Sequence, residues 1–156
     1  ASWDENMAKL SVHSPLGPLA LTEQDGAITA LDWGWSREAE ETGLLCLARE
    51  QLGEYFDGTR PAFNLPLAPA GTSFQRAVWQ HLCDIPYGST ESYGSVARGI
   101  GTAARAIGGA CAQNPIPILI PCHRVLGANG ALGGYSGGEG IDSKQYLLRL
   151  EDGSIH

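Results

Sequence analysis

The chain has 156 residues, 43% hydrophobic and 17% charged, with 21 glycines and 9 prolines. That length supports one domain or two small ones, and the composition excludes intrinsic disorder. No apolar run approaches the roughly 18 residues of a membrane span and no signal peptide opens the chain, so a soluble, cytoplasmic protein without a membrane partner is expected. The formal net charge of −7 argues at first against a nucleic-acid partner. It is unevenly spread: residues 1–70 carry 4 Lys/Arg against 11 Asp/Glu, and residues 71–156 carry 6 of each. The second half can therefore still meet a polyanion, through few phosphate contacts.

Residues 1–6 have no periodicity and are set aside as a frayed terminus or an expression remnant. From Lys9 to Trp35, turn signals at Ser14–Gly17 and Gln24–Gly26 bound Leu19–Thr22 and Ala27–Trp33, predicting a small antiparallel meander. Trp33 and Trp35 are expected to pack on this sheet. Ser36 is placed to cap a helix to about Tyr55, with Glu38, Glu40 and Glu41 in its first turns and Leu44, Leu45, Leu47, Ala48, Leu52 and Tyr55 near one face. Gly58 ends it. Pro61 to Gly71 holds no helical period and reads as a linker.

After Gly71 come short helices with glycine-rich joints. Ser73 is the expected cap of a helix to Cys83, itself expected in the core, with Phe74, Ala77, Val78 and Leu82 on one face. Ser92–Arg98, the joint Gly99-Ile100-Gly101 and Thr102–Ala112 predict a helix-turn-helix. Ile116–Ile120 is a strand-like apolar run. Gly127–Gly140 has seven glycines in fourteen residues, a loop in which backbone must approach something closely. Asp142 and Gln145 fit a capping box opening a last helix, Ser143–Leu150.

The sharpest local feature is Ile120-Pro121-Cys122-His123-Arg124-Val125. A thiol is a useful nucleophile only as the thiolate, so it needs a base or a positive field beside it. His123 can serve only if the backbone turns between the two residues. On these residues alone, Cys122 stays open between a nucleophile and a small buried apolar residue.

Pro121-Cys122-His123-Arg124-Val125 resembles the active-site signature of the O6-alkylguanine-DNA alkyltransferases. Ile85-Pro86-Tyr87-Gly88, Ser92-Tyr93-Gly94, Ala104–Gly108, Asn114-Pro115 and Gly133–Gly138 resemble further segments of that family in the same order, so the likeness spans Ser73 to Glu151. The first half is similar in outline only. The resemblance implies Cys122 as alkyl acceptor, polarised through water by His123, which Glu151 orients, with Asn114 holding the loop at the cysteine. Tyr93 would donate its phenol to a guanine ring nitrogen. Tyr135 and Ser136 would wall the pocket, and the Cys122 and Val125 carbonyls would accept from the exocyclic amine. Arg105 lies on a second helix almost bare of large side chains, which suits a minor groove more than sequence reading in the major groove. The family likeness makes it the side chain that fills the gap left by the flipped base. Thr102, Gln75 and Arg124 complete the implied DNA and substrate contacts. Cys111 stands in that helix where some members carry larger or charged residues, and spacing leaves open whether it lies near Cys122 as an oxidation partner.

The resemblance implies DNA repair: irreversible, single-turnover transfer of a methyl or larger alkyl group from O6-alkylguanine, with O4-alkylthymine a further substrate. The partner would be double-stranded DNA bound through the minor groove, with the protein a monomer, open to cooperative binding, and nucleoid-associated if bacterial. No cofactor and no metal are expected, since His13 and Cys46 are isolated. The alternative is a non-catalytic alkyltransferase-like lesion sensor, a class that typically carries tryptophan where Cys122 stands. A Cys-His hydrolase, a thiol redox protein and a plain helix-turn-helix regulator explain less of the pattern. The expected architecture is α/β (α+β). Residues 7–69 would form a ribonuclease-H-like supporting domain, and residues 70–156 a mostly helical, winged helix-turn-helix domain carrying DNA binding and chemistry.

Overall fold

A computed structural model describes residues 7–132 and 141–155. The chain divides into two compact units, Ala1–Ala70 and Gly71–His156, and the fold is α+β: an antiparallel sheet with one helix, followed by a helical unit.

In the first unit β1 (Met7–Val12), β2 (Leu19–Gln24) and β3 (Ala27–Trp33) form an antiparallel sheet in the order β1-β2-β3. Leu21 pairs with Leu10 on one side and Leu31 on the other, so the apolar sets of the three strands line up. The β2–β3 turn puts Asp25 and Gly26 at φ +53° and +83°, the backbone that an Asp-Gly hairpin turn requires. Helix α1 (Gly43–Phe56) packs on β1 and β2, burying Leu45, Ala48, Leu52, Tyr55 and Phe56. Its cap is Thr42, whose hydroxyl accepts from the Leu45 amide at 3.0 Å, rather than Ser36. Residues 36–42 are non-helical, because the Ser36 amide is tied to Ser11 Oγ at 2.8 Å and the Glu40 amide to the Lys9 carbonyl at 2.9 Å. Glu38, Glu40 and Glu41 thus precede the helix, and Leu47 faces solvent. Trp35 is 59% exposed, stacked on His13 at 4.8 Å instead of packing under the sheet.

The expected linker is largely part of this unit. Ile28 exchanges backbone hydrogen bonds with Pro66 and Ala68, at 2.9 and 2.8 Å, and so makes a parallel bridge to Leu67. The buried Gln51 side chain holds Asn64 through both its amide atoms. Prolines at 61, 66 and 69 suppress helix without preventing this single-strand docking.

In the second unit, α2 (Ser73–Cys83) begins one residue earlier in its capping than Ser73. Thr72 is the cap, and a reciprocal capping box joins its hydroxyl to the Gln75 amide and its amide to Gln75 Oε1. Trp79 is buried and donates Nε1–H to the Ala110 carbonyl at 2.9 Å, fastening α2 to α4. Cys83 is exposed, not core, since the helix ends there and turns it outward. The helix-turn-helix is α3 (Tyr93–Ile100), capped by Ser92, and α4 (Ala104–Ala112), joined through Gly101 at φ +89°. A two-residue parallel pair, β4 (Glu91–Ser92) with β5 (Val125–Leu126), lies beside α3. The 116–120 run is a tight turn rather than a strand: Ile120 N–H reaches the Ile116 carbonyl at 2.9 Å, with Ile118 at φ +74°. Helix α5 (Ile141–Glu151) contains Asp142 in its first turn, so Asp142 does not cap it. No helix among the described residues is long and apolar enough to cross a membrane.

Because the Thr72 capping box satisfies two otherwise unpaired amide donors, Thr72→Ala should lower unfolding free energy by about 1 kcal/mol, read from chemical denaturation midpoints.

Candidate active site

The turn that the Cys-His pair requires is present. Pro121 leads into a single 3-10 turn over Cys122–Arg124, closed by Arg124 N–H on the Pro121 carbonyl at 3.0 Å. Cys122, His123 and Arg124 are all buried, at 3%, 0% and 7% exposure. Asn114 sets the approach to this turn: Oδ1 accepts from Ile116 N–H at 2.9 Å, and Nδ2 donates to the Ile120 carbonyl at 3.0 Å. The same carbonyl accepts from Cys122 N–H at 2.8 Å. One asparagine thus braces both ends of the turn that holds Ile118 in a backbone region unfavourable to a β-branched residue.

Glu151, at the end of α5, is the hub. Its Oε2 lies 2.6 Å from His123 Nε2, and Arg124 grips both oxygens, Nε to Oε1 at 2.8 Å and Nη2 to Oε2 at 3.0 Å. Arg124 Nη1 donates to the Ile85 carbonyl at 2.7 Å, and the guanidinium lies 5.9 Å from the Tyr87 ring centroid. Burial works against ionisation of Glu151, but hydrogen bonds and charge from His123 and Arg124 outweigh it and hold the carboxyl down at about 2. Burial is also the leading influence on His123 and lowers it; Arg124 and Lys144 add to this, while Glu151 opposes. The neutral ring then carries its proton on Nε2 toward Glu151. Its Nδ1, buried and without a partner among the described residues, is left as an acceptor.

Arg124, expected at the DNA surface, is instead spent on Glu151 and Ile85. The Gln75 side chain is likewise committed, to the α2 capping box. Tyr93 is half-buried at the start of α3, and its phenol is pushed up to about 12 by burial and by the charges of Cys111 and Cys122, so it stays a proton donor. Tyr93 and the exposed Arg105 line one open cavity of about 590 Å³, with Ser92, Arg98, Gly108 and Gly127 also on its wall. Thr102 lies in the interhelical joint, half-buried, and α4 starts after Ala103 without a side-chain cap. Tyr135 and Ser136 lie outside the described residues.

Sequence reading missed Lys144. It is fully buried, its ammonium donates to the Val125 carbonyl at 2.7 Å, and it stands 5.5 Å from the Tyr93 ring centroid. Burial lowers its pKa, and the charges of Cys122 and Cys111 pull the other way. The Val125 carbonyl, expected to face a guanine amine, therefore already has one donor. A signal was available: Lys144, Leu147 and Glu151 fall at i, i+3 and i+7, putting two charged residues on the apolar face of the last helix. Among the described residues, no group of three or more His, Cys, Asp or Glu could hold a metal ion.

Fold and site together define a class: a helix-turn-helix unit built around a buried cysteine with a histidine–carboxylate pair beside it. Two family models match the chain. The 6-O-methylguanine DNA methyltransferase ribonuclease-like domain covers residues 7–69, and the DNA binding domain of the same family covers residues 73–153. The chain is 44% identical to a constitutive methylated-DNA–protein-cysteine methyltransferase of Bacillus subtilis, over 90% of this chain and 93% of that one. It is 41% identical to a methylated-DNA–protein-cysteine methyltransferase of Methanosarcina barkeri, over 92% and 96%. A Mycobacterium tuberculosis OGT crystallised in complex with DNA superposes with a TM-score of 0.85 at 43% identity, covering 94% of this chain and 93% of that one. The chain belongs to the 6-O-methylguanine DNA methyltransferase family.

Two outcomes follow from the Glu151 hub. Arg124→Ala leaves a buried carboxylate without its cation and should cost about 3–5 kcal/mol in denaturant unfolding. Because folding depresses the Glu151 carboxyl, its contribution to stability is complete above its ordinary 4.5 and drains away as pH falls toward 2. Thermal unfolding followed across that window should show a steeper acid loss in the wild type than in Glu151→Gln.

Proposed function

We propose that this protein repairs DNA by moving an alkyl group from guanine O6, and from thymine O4, onto Cys122 in a single irreversible turnover. The observation that carries the reading is the orientation of His123: Nε2 is engaged by Glu151, so Nδ1 is left as the acceptor in the turn that begins with Cys122. Cys122 gives its proton toward Nδ1, directly or through a water. The thiolate then attacks the alkyl carbon in line; the S–C bond forms, the C–O6 bond breaks, and the electron pair passes into the guanine ring. Tyr93 donates a proton to a ring nitrogen as that charge develops, which its raised pKa permits. Arg124 neutralises Glu151 and so takes no part at the DNA surface. The thioether product has no leaving group, so each molecule acts once.

The substrate side follows the same logic. The base enters the 590 Å³ cavity between Tyr93 and Arg105 after leaving the stack, and Arg105 occupies its place in the duplex. The small-residue surface of α4 suits the minor groove, with Thr102 and the uncapped amides at the α4 start on a phosphate. The Cys122 and Val125 carbonyls meet the exocyclic amine. The protein works as a monomer without cofactor, and a chromosomal substrate implies a cytoplasmic location, at the nucleoid in a bacterium.

Incubation with duplex DNA containing O6-methylguanine should raise the intact mass by about 14 mass units, one methylene, and Cys122→Ser should abolish the gain. Tight binding to the modified duplex with no gain would make the protein a lesion sensor. Tyr93→Phe should slow transfer with little loss of DNA affinity. Arg105→Ala should lose more activity on duplex DNA than on the free modified base, and equal losses would remove it from base extrusion.

A further inference from the structure

The second unit holds more cations than the alkyl-transfer reading has used. Residues 71–156 carry six Lys and Arg. Arg124 is spent on Glu151, and Lys144 is buried against the Val125 carbonyl. The remaining four are exposed arginines, and two of them, Arg98 on α3 and Arg105 on α4, line the same cavity of about 590 Å³. The described lining of that cavity includes no carboxylate, in a chain whose net charge is −7. An opening walled by two guanidinium groups and no acid favours an anion.

Arg98 is placed there by α3 itself. It stands four residues after Gly94, on the same helix face, and helical side chains lean toward the N-terminus. Gly94 leaves that face bare, and a β-carbon on it would stand 3.4 Å from Arg98 Nη1. The guanidinium therefore lies back over the first turn of α3, which Tyr93 opens. Glu91 is the only carboxylate in the sequence from Ile85 to Leu132, and it is already held, by His81 Nε2 at 2.8 Å and by the Ser95 hydroxyl at 3.3 Å. Arg98 has no hydrogen bond or ion pair among the described residues.

We infer that Arg98 grips a phosphate flanking the extruded nucleotide, and so holds the backbone while the base faces Tyr93. The inference rests on the base-extrusion reading above. Arg105 occupies the vacated place in the stack, which turns its charge into the duplex. The extruded nucleotide carries its own phosphate charge out to the cavity rim, and Arg98 is the cation left there to meet it. The guanidinium fork matches two phosphate oxygens at once. Such a contact fixes position without reading sequence, in keeping with the small side chains of α4.

The test separates this contact from the chemistry. Affinity for a duplex containing O6-methylguanine is measured across a range of salt in the Cys122→Ser background, where no alkyl group moves. Arg98→Ala should weaken binding about tenfold at low salt, the worth of one charge-assisted hydrogen bond. It should also make the slope of log affinity against log salt shallower by about 0.9, the value for one phosphate. Arg98→Lys should keep the slope, and Arg149→Ala, at an exposed arginine of α5, should match the background. A neutral methylphosphonate is then placed at each flanking phosphate in turn, and at one of the two it should erase the difference that Arg98→Ala makes. With Cys122 in place, Arg98→Ala should slow transfer from the duplex more than from the free modified base. A difference that survives both methylphosphonates, or equal slowing on duplex and free base, would overturn the assignment. Wild type that gains no mass from either substrate would instead overturn the alkyl-transfer reading, and the affinity comparison would still decide on Arg98.

Discussion

The buried carboxylate of Glu151 is the constraint around which the second unit is organised. A charge that far from water is tolerated only when its lone pairs are filled and its charge is matched. Arg124 matches the charge with two bonds, and His123 fills what remains. The consequence for chemistry is that the imidazole is fixed in one tautomer and one orientation by a partner that needs no further cation. His123 can then remain neutral and accept, which an imidazole facing an unmatched carboxylate would do less well.

The same cluster explains how distant parts of the chain are drawn together. Glu151 comes from the last helix, His123 and Arg124 from the 3-10 turn, and the Ile85 carbonyl from the end of the segment after α2. Lys144 adds a second tie from α5 to Val125. These bonds cross 19 to 39 residues of sequence. Their geometry is set by elements that pack for their own reasons, through Val78, Trp79, Leu82, Ile107 and Leu147.

Much of this was legible in the residues. The Asp-Gly turn, the meander and the helix-turn-helix each rest on local stereochemistry, which sequence carries directly. The fold class and the family followed from the ordered motifs. What stayed hidden depended on tertiary partners. Ser36 and Ser73 have the right chemistry to cap, but Ser11 claims the Ser36 amide, and the Gln75 reach favours Thr72. Arg124 has the composition of a DNA contact, and nothing near it in sequence shows that a glutamate 27 residues away will take its guanidinium. Lys144 was concealed by the habit of assigning lysine to solvent, although its position in the apolar stripe of α5 marked it. The Pro-rich run after α1 read as a linker because proline signals the absence of helix, not the absence of docking.

The short parallel pair between β4 and β5 has a wider consequence. Glu91 is held opposite Val125 and Ser92 opposite Leu126. Tyr93 directly follows the first strand, and Cys122 lies three residues before the second. The spacing between phenol and thiol is thereby governed by main-chain pairing, which is indifferent to side-chain identity. Residues on the exposed face of α4 can be exchanged without touching that pairing, so the α4 surface and the spacing from Tyr93 to Cys122 are set by separate parts of one small unit.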